Sequence, residues 1–351
     1  MAVNIMNHDQ SANEIQTKTL AVSFRLLLGL YSIIPICLLL QLVDSNVFGG
    51  YLQQALPSSP RHFILYQIIF GTPHIVASSI LMTSNVEYLK FYRVKITVMT
   101  LALAVFFGIG SQFISYRILY VLVACWTVFH VLKQQHGISR GACGISSLQF
   151  NLQLWLSVAA GILIYIGIFS RNSLNREYAD MISYVAGGLC VLLAGSTMLI
   201  VRSVQTVFGK VFLWANSLLV LSSYYLFMSE YYFLAILVPR LVHDTTAFIF
   251  YVTHDYNRHY GHPQNFIYRA AEKLKVNIFI VLPLISFVLA FALRQYGDYY
   301  FDLITEFLFG TDFRKAISLV FLGYLALMHY YTESFTWKGD SPYRKYIAFS
   351  R

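Results

Sequence analysis

The chain has 351 residues, of which 57% are hydrophobic, 17% aromatic and only 12% charged. Soluble globular proteins carry roughly 25% charged residues, so the composition excludes a soluble enzyme fold and predicts a protein built into a lipid bilayer. The net charge of +9 is distributed over short loops between apolar runs, which excludes the continuous basic face of a nucleic-acid-binding protein.

Apolar runs long enough to cross a membrane follow one another along the chain. They predict an all-α, polytopic integral membrane helical bundle with about 10 transmembrane helices. We expect a single transmembrane domain at 20–335, an N-terminal arm at 1–19 and a basic tail at 336–351. The predicted spans are residues 20–43, 61–84, 95–115, 117–136, 148–170, 178–201, 207–228, 231–255, 276–294 and 313–335.

The loops between these spans alternate in basic charge. One set of loops, together with both termini, carries about sixteen Lys and Arg residues, and the other carries about seven. The positive-inside rule therefore predicts that both termini are cytoplasmic, and we expect a bacterial inner membrane. The loop after the ninth span is then predicted to face outward with its acidic residues Asp298, Asp302, Glu306 and Asp312.

Histidines gather at one side of the predicted bundle. Even-numbered spans run from outside to inside, so residues late in these spans approach the cytoplasmic face. At a rise of about 1.5 Å per residue, two of the histidines lie deeper than the others, at matching depth. The deeper pair is His74 and His243; closer to the face come His130, His254 and His329, followed by His136, His259 and Glu333.

Spacing within the helices groups some of these side chains. His329 and Glu333 are four residues apart and point from one helical face. His243 and His254 are eleven apart, close to three full turns, and share a stripe at two depths. Asp244 and Asp255 each follow one of these histidines and are rotated by about 100°. They suit proton handling or an outer coordination shell.

A metal centre explains this gathering, because ionisable groups inside a membrane need compensation. Imidazole is a common ligand of Fe, Zn and Cu, and a carboxylate beside several imidazoles favours Fe(II). We expect one or two ions, with zinc or another transition metal left open. The expected ligands are His74, His130, His254, His259, His329 and Glu333; His136 and His243 are further candidates, and Glu333, Asp244 and Asp255 are the expected catalytic acids or bases.

Two short motifs carry a family resemblance. The segment AFIFYVTHDYNRH at 247–259 resembles the F-x-x-Y and H-x-x-R-H region of the membrane β-carotene dioxygenases of the Brp/Blh type, and GTPH at 71–74 is similar to their G-x-P-H signature. The resemblance implies non-haem iron, O2 chemistry on a lipophilic substrate, and His74, His254 and His259 as ligands. The last two are five residues apart here, whereas the family spacing is four. Polytopic histidine-box desaturases and hydroxylases are similar only in general architecture.

The sequence thus favours a metal-dependent membrane oxygenase acting on a carotenoid-like or acyl lipid, with lipid, O2 and a separate electron donor as expected partners. Two other hypotheses remain open. The same histidines could relay protons or cations in a transporter, which predicts inverted repeats, or they could be structural, each bonded to a backbone carbonyl. Arg240, beside Pro239 in mid-membrane, needs an acidic or carbonyl partner in any of these cases.

Overall fold

A computed structural model describes residues 19–59, 66–110, 113–311 and 316–350 of the chain. Residues 1–18 of the predicted N-terminal arm and Asp312 of the predicted acidic loop lie outside this part. The described residues are almost entirely helical. The helices are α1 (Phe24–Gly29), α2 (Ile33–Val47), α3 (Tyr51–Ala55), α4 (Thr72–Thr83), α5 (Val86–Ala104), α6 (Tyr116–Cys143), α7 (Ser147–Ser170), α8 (Arg176–Ile200), α9 (Val207–Met228), α10 (Tyr232–His259), α11 (Phe266–Lys273), α12 (Ile278–Phe309) and α13 (Leu322–Thr336).

Within the described residues, six helical segments are long and apolar enough to cross a membrane. They are α1 with α2, and then α7, α8, α9, α10 and α12. The other predicted spans also fall on helical segments, α4, α5, α6 and α13, but these do not meet the same length and hydropathy. An all-α membrane bundle is therefore what the structure supports, while ten crossings and cytoplasmic termini stay predictions.

The prediction of an acidic loop directly after the ninth span is wrong. Helix α12 continues through 32 residues to Phe309, so Asp298, Asp302 and Glu306 lie on its last turns and not in a loop. Asp298 accepts hydrogen bonds from the backbone N–H groups of Ile317 and Ser318 at 2.8 and 3.0 Å. That carboxylate therefore fixes the start of the next helical segment.

Short polar side chains define where several helices begin. Ser146 caps α7 and forms a reciprocal capping box with Gln149, which satisfies two backbone donors that the first helical turn leaves free. Asn175 and Thr206 accept backbone hydrogen bonds at the starts of α8 and α9 in the same way. These caps set where three of the long apolar helices begin.

Helix α10 runs through the middle of the bundle. In its most apolar stretch 72% of the residues are buried inside the protein, compared with 22% for α12. A helix buried on all sides can carry polar side chains only where neighbouring helices supply partners. Its sequence contains Pro239, Arg240, His243, Asp244, His254, Asp255, Arg258 and His259, all of them buried.

Two further helices that carry histidines, α4 and α13, begin directly after π-helical segments. Gln67–Gly71 leads into α4, and Ala316–Phe321 leads into α13. A π-helical turn inserts one extra residue and rotates the side chains that follow, and such turns are frequent at functional sites. The two segments therefore set the orientation of His74 and His329, the histidines of α4 and α13.

The two ends of the described chain meet. Ala21–Ser23 (β1) and Ala348–Ser350 (β2) form a parallel two-stranded sheet. Asn257, near the end of α10, bonds both flanking segments through the backbone of Leu20 and the carbonyl of Tyr346. Both ends therefore lie on the same side of the bundle as the end of α10.

Candidate metal centre

Four imidazoles from four different helices meet inside the bundle. His74 comes from α4, His130 from α6, His243 from α10 and His329 from α13, and each ring is at most 6% exposed. Neighbouring rings are close: the centroids of His74 and His130 each lie 4.8–5.5 Å from those of His243 and His329. The centroids of His243 and His329 are 6.2 Å apart. The rings are therefore arranged around a common point.

Most ring nitrogens of this cluster have no hydrogen-bond partner among the described residues. This is true of Nε2 of His74 and His130 and of both nitrogens of His243 and His329. A buried polar atom without a partner costs about 1–3 kcal/mol, so six such atoms together would be a heavy penalty in an ordinary protein core. A cation bound between the rings would satisfy the nitrogens that carry lone pairs.

The hydrogen bond of His74 defines which of its nitrogens is a ligand. Nδ1 lies 2.8 Å from the carbonyl oxygen of Phe70. A carbonyl only accepts, so Nδ1 carries the proton, and in the neutral ring Nε2 holds the lone pair. Metal-binding histidines are commonly oriented by such a bond from the other nitrogen.

Glu333 supplies a carboxylate to the same cluster. Its Oε2 lies 3.4 Å from Nε2 of His130 and 4.0 Å from Nε2 of His329. Tyr251 donates a short hydrogen bond to Oε1, and Gln134 donates to Oε2 at 3.3 Å. The carboxylate is thereby held with one oxygen toward the imidazoles.

Asp244 lies at the other side, next to His74. Its Oδ1 is 3.5 Å from Nε2 of His74 and has no hydrogen-bond partner among the described residues. Its Oδ2 accepts the Tyr66 hydroxyl at 2.7 Å and lies 3.8 Å from Nη2 of Arg240. Asp244 is therefore the acidic partner that Arg240 requires, four residues along the same helix.

Two groups of donor atoms could hold a metal ion: His74, His243 and His329, and His130, His329 and Glu333. In each group the ligand atoms lie within 4.8 Å of one another. The donor set is therefore suited to a transition metal, whose identity it leaves open.

The structure does not bring His254 to this cluster. Its Nδ1 donates to Oδ1 of Asp255 at 2.9 Å, and its Nε2 accepts the hydroxyl of Tyr88 at 2.6 Å. The Tyr88 oxygen in turn accepts from Arg258 at 3.0 Å. The expected roles of His254 as a ligand and of Asp255 beside it therefore lack geometric support, because both nitrogens of this ring already have partners.

His259 and His136 also lie apart from both donor groups. Nδ1 of His259 accepts the backbone N–H of Gln264 at 3.1 Å, and its ring stacks on Tyr268 at 4.1 Å between centroids. Nδ1 of His136 lies 2.8 Å from the amide nitrogen of Asn216. His243, which the sequence analysis ranked with His136 as a further candidate, belongs to the cluster.

Three partners of the site were missed by the sequence reasoning. Tyr66, Tyr251 and Gln134 orient the two carboxylates through long-range contacts that no spacing encodes. The sequence did indicate the pairing of Arg240 with Asp244, since residues four apart lie on the same face of a helix.

Searches against protein-family models, curated proteins and solved structures found no match.

Proposed function

We propose that the protein is a membrane-embedded, non-haem iron oxidoreductase that uses O2 to oxidise a lipophilic substrate. The observation that carries the proposal is the buried cluster of four imidazoles with Glu333 beside two of them. Two histidines and one carboxylate are the ligand set typical of non-haem Fe(II) oxygenases. The GTPH motif adds support, because its His74 is a member of the cluster.

The bound iron would supply O2 binding and activation. The chain's own residues would supply three further things. Glu333 would be a ligand whose orientation is fixed by Tyr251 and Gln134. Asp244 Oδ1 would be the oxygen that accepts a proton, since Oδ2 is already bonded to Tyr66. The closely packed helices would keep bulk water from the reacting atoms.

A lipophilic substrate would reach this site from the bilayer. A narrow cleft between α6, α7 and α10 is lined by Tyr66, Thr127, Tyr165 and Arg240 among others. Thr127 lies three residues before His130, and Arg240 three before His243, which is about one helical turn from the cluster in each case. The cleft therefore lies about one helical turn from the cluster, and the substrate would enter through it.

Elemental analysis of the detergent-purified protein tests the proposal first. We expect iron in stoichiometric amount, followed by substrate-dependent O2 uptake when carotenoids and acyl lipids are supplied. Oxidative cleavage that places both oxygen atoms in the products needs no external reductant, whereas hydroxylation and desaturation need two electrons from a donor. Turnover with substrate and O2 alone would therefore identify cleavage. A metal-free protein, or cation flux in proteoliposomes without O2 uptake, would contradict the proposal.

A further inference from the structure

A cavity of about 360 Å³ opens at the end of the bundle opposite the paired termini. It lies between α3, the end of α7 and the start of α10. Its size is within the range of small-molecule sites, about 300–1,000 Å³. The lining includes Leu52, Gln53, Leu56, Arg171, Glu230 and Tyr232.

A buried carboxylate holds two walls of this cavity together. Asp44, 1% exposed, accepts the backbone N–H groups of Leu52 and Gln53 and the hydroxyl of Tyr231 at 2.9 Å. Gln53 also donates to the carbonyl of Ser229 at 3.3 Å. The cavity is thus a braced part of the fold, because one side chain ties α3 to the turn that precedes α10.

Glu230 occupies a backbone position that favours glycine. Its φ of 63° is in the left-handed region, where residues with a Cβ are strained and where a helix-ending turn usually has Gly or Asn. The residue is exposed and lines the cavity. Strain of this kind concentrates at functional positions, so the carboxylate at this place requires a reason other than the turn itself.

A positive charge lies in the same lining. The Arg171 guanidinium is 4.8 Å from the ring centroid of Tyr232, a cation–π arrangement that fixes its place. The lining therefore offers a fixed cation, an anion at Glu230 and an amide at Gln53. A ligand that carries both a phosphate and an ammonium group complements these three.

The position of the cavity indicates where such a ligand would come from. Phe48, before α3, and Tyr51, its first residue, are 64% and 68% exposed, as is usual for aromatic residues at a membrane boundary. Leu52 and Leu56 add apolar surface to the cavity wall. A lipid could therefore place its headgroup in the cavity and its acyl chains along the neighbouring apolar helices.

We propose that this cavity binds the zwitterionic headgroup of phosphatidylethanolamine, with the phosphate at Arg171 and the primary ammonium at Glu230. The ammonium donates three hydrogen bonds, which a choline group cannot do. An anionic headgroup without the ammonium would face the Glu230 carboxylate with no compensating charge. The site should therefore prefer phosphatidylethanolamine to both phosphatidylcholine and phosphatidylglycerol.

The test is calorimetric titration of the full-length protein in detergent with short-chain phosphatidylethanolamine, phosphatidylcholine and phosphatidylglycerol of equal chain length. We expect the first to bind about tenfold more tightly, as one well-placed charged contact would give. Glu230→Gln should remove that preference, whereas Arg171→Gln should weaken the binding of all three lipids, because each of them carries the phosphate. Arg176→Gln, which changes a side chain that is 96% exposed at the start of α8, should leave it unchanged.

Glu230→Gly separates binding from folding. Because glycine suits the left-handed backbone, this variant should keep or raise the thermal midpoint of the protein and still lose the preference for phosphatidylethanolamine. Equal binding of the three lipids, an unchanged preference in Glu230→Gln, or an unchanged affinity for all three lipids in Arg171→Gln would overturn the proposal. Free glycerophosphoethanolamine binding as tightly as the lipid would overturn the lipid as the source of the headgroup.

Discussion

Two groups of buried histidines in this protein differ in whether their ring nitrogens have hydrogen-bond partners. In the cluster formed by His74, His130, His243 and His329, six nitrogens have no partner among the described residues. About 16 Å of helix axis separate His243 from His254 on α10, taking about 1.5 Å for each of the eleven residues, and both ring nitrogens of His254 have hydrogen-bond partners. Buried histidine is thus compatible with a ligand or a structural role, and the partners decide which.

The largest expected effect separates these two groups directly. His329→Ala removes an imidazole shared by both donor groups, so the purified protein should lose nearly all bound metal. His254→Ala removes a ring whose nitrogens bond Asp255 and Tyr88, so its metal content should equal that of the wild type. Mass spectrometry of metal content checks both variants. Equal loss in the two, or loss in neither, would show that the division between the groups is wrong.

A smaller effect is expected from the residue that orients Glu333. Tyr251→Phe keeps the ring but removes the hydroxyl that bonds Oε1. Loss of such an orienting hydrogen bond typically lowers metal affinity 10–100-fold, so we expect an increase of about that size in the dissociation constant, measured by competition with a chelator. Tyr256→Phe changes a half-buried tyrosine on the same helix and should have no effect. A Tyr251→Phe protein with unchanged affinity would argue against Glu333 as a ligand.

Changes around the hydrogen-bonded His254 should lower the stability of the protein and leave its metal content unchanged. Asp255 accepts from both His254 and Tyr268, and Asp255→Asn replaces one of its two acceptors with a donor. One buried donor is then left without a partner, which costs about 1–3 kcal/mol in the free energy of unfolding. Denaturant titration measures this change. Asp180→Asn, at an exposed carboxylate, should stay within about 0.5 kcal/mol.

The smallest expected effect concerns alkaline pH. Burial, followed by the charge of Asp255, raises the pKa of Tyr268 above its ordinary value of 10.0. The folded protein then keeps this proton while the unfolded chain releases it, so the contribution to stability is complete below about pH 10 and declines above it, by at most about 1.4 kcal/mol per pH unit. Unfolding of the wild type should therefore depend more steeply on pH above 10 than unfolding of Tyr268→Phe. Parallel pH profiles would contradict this.

The helical architecture could be predicted because hydropathy is a local property. The described part of each predicted span is largely helical, while residues 61–65, 111–112 and 313–315 of three spans lie outside the described residues. Helix ends were harder: α12 extends to Phe309 and α10 to His259, since helices continue past the membrane boundary wherever polar residues permit. The length of an apolar run carries no information on how far its helix continues.

The candidate site could be predicted only in part. Depth and helical face bring His74, His130, His243 and His329 into one half of the bundle. Helical face does not separate His243 from His254, which share a stripe of α10, and the predicted depth grouped His254, not His243, with His130 and His329. The separation depends on Tyr88 and Tyr268, which belong to α5 and α11. Contacts between distant parts of a chain are absent from residue spacing, so sequence reasoning gave the residue types and missed the partners.

The position of the donors along the chain bears on how the protein is made. His74, His130 and His243 are synthesised before His329 and Glu333, which belong to α13. Both donor groups include a residue of α13. Capture of an ion by either complete set must therefore wait until α13 has been synthesised and has packed against α4 and α6.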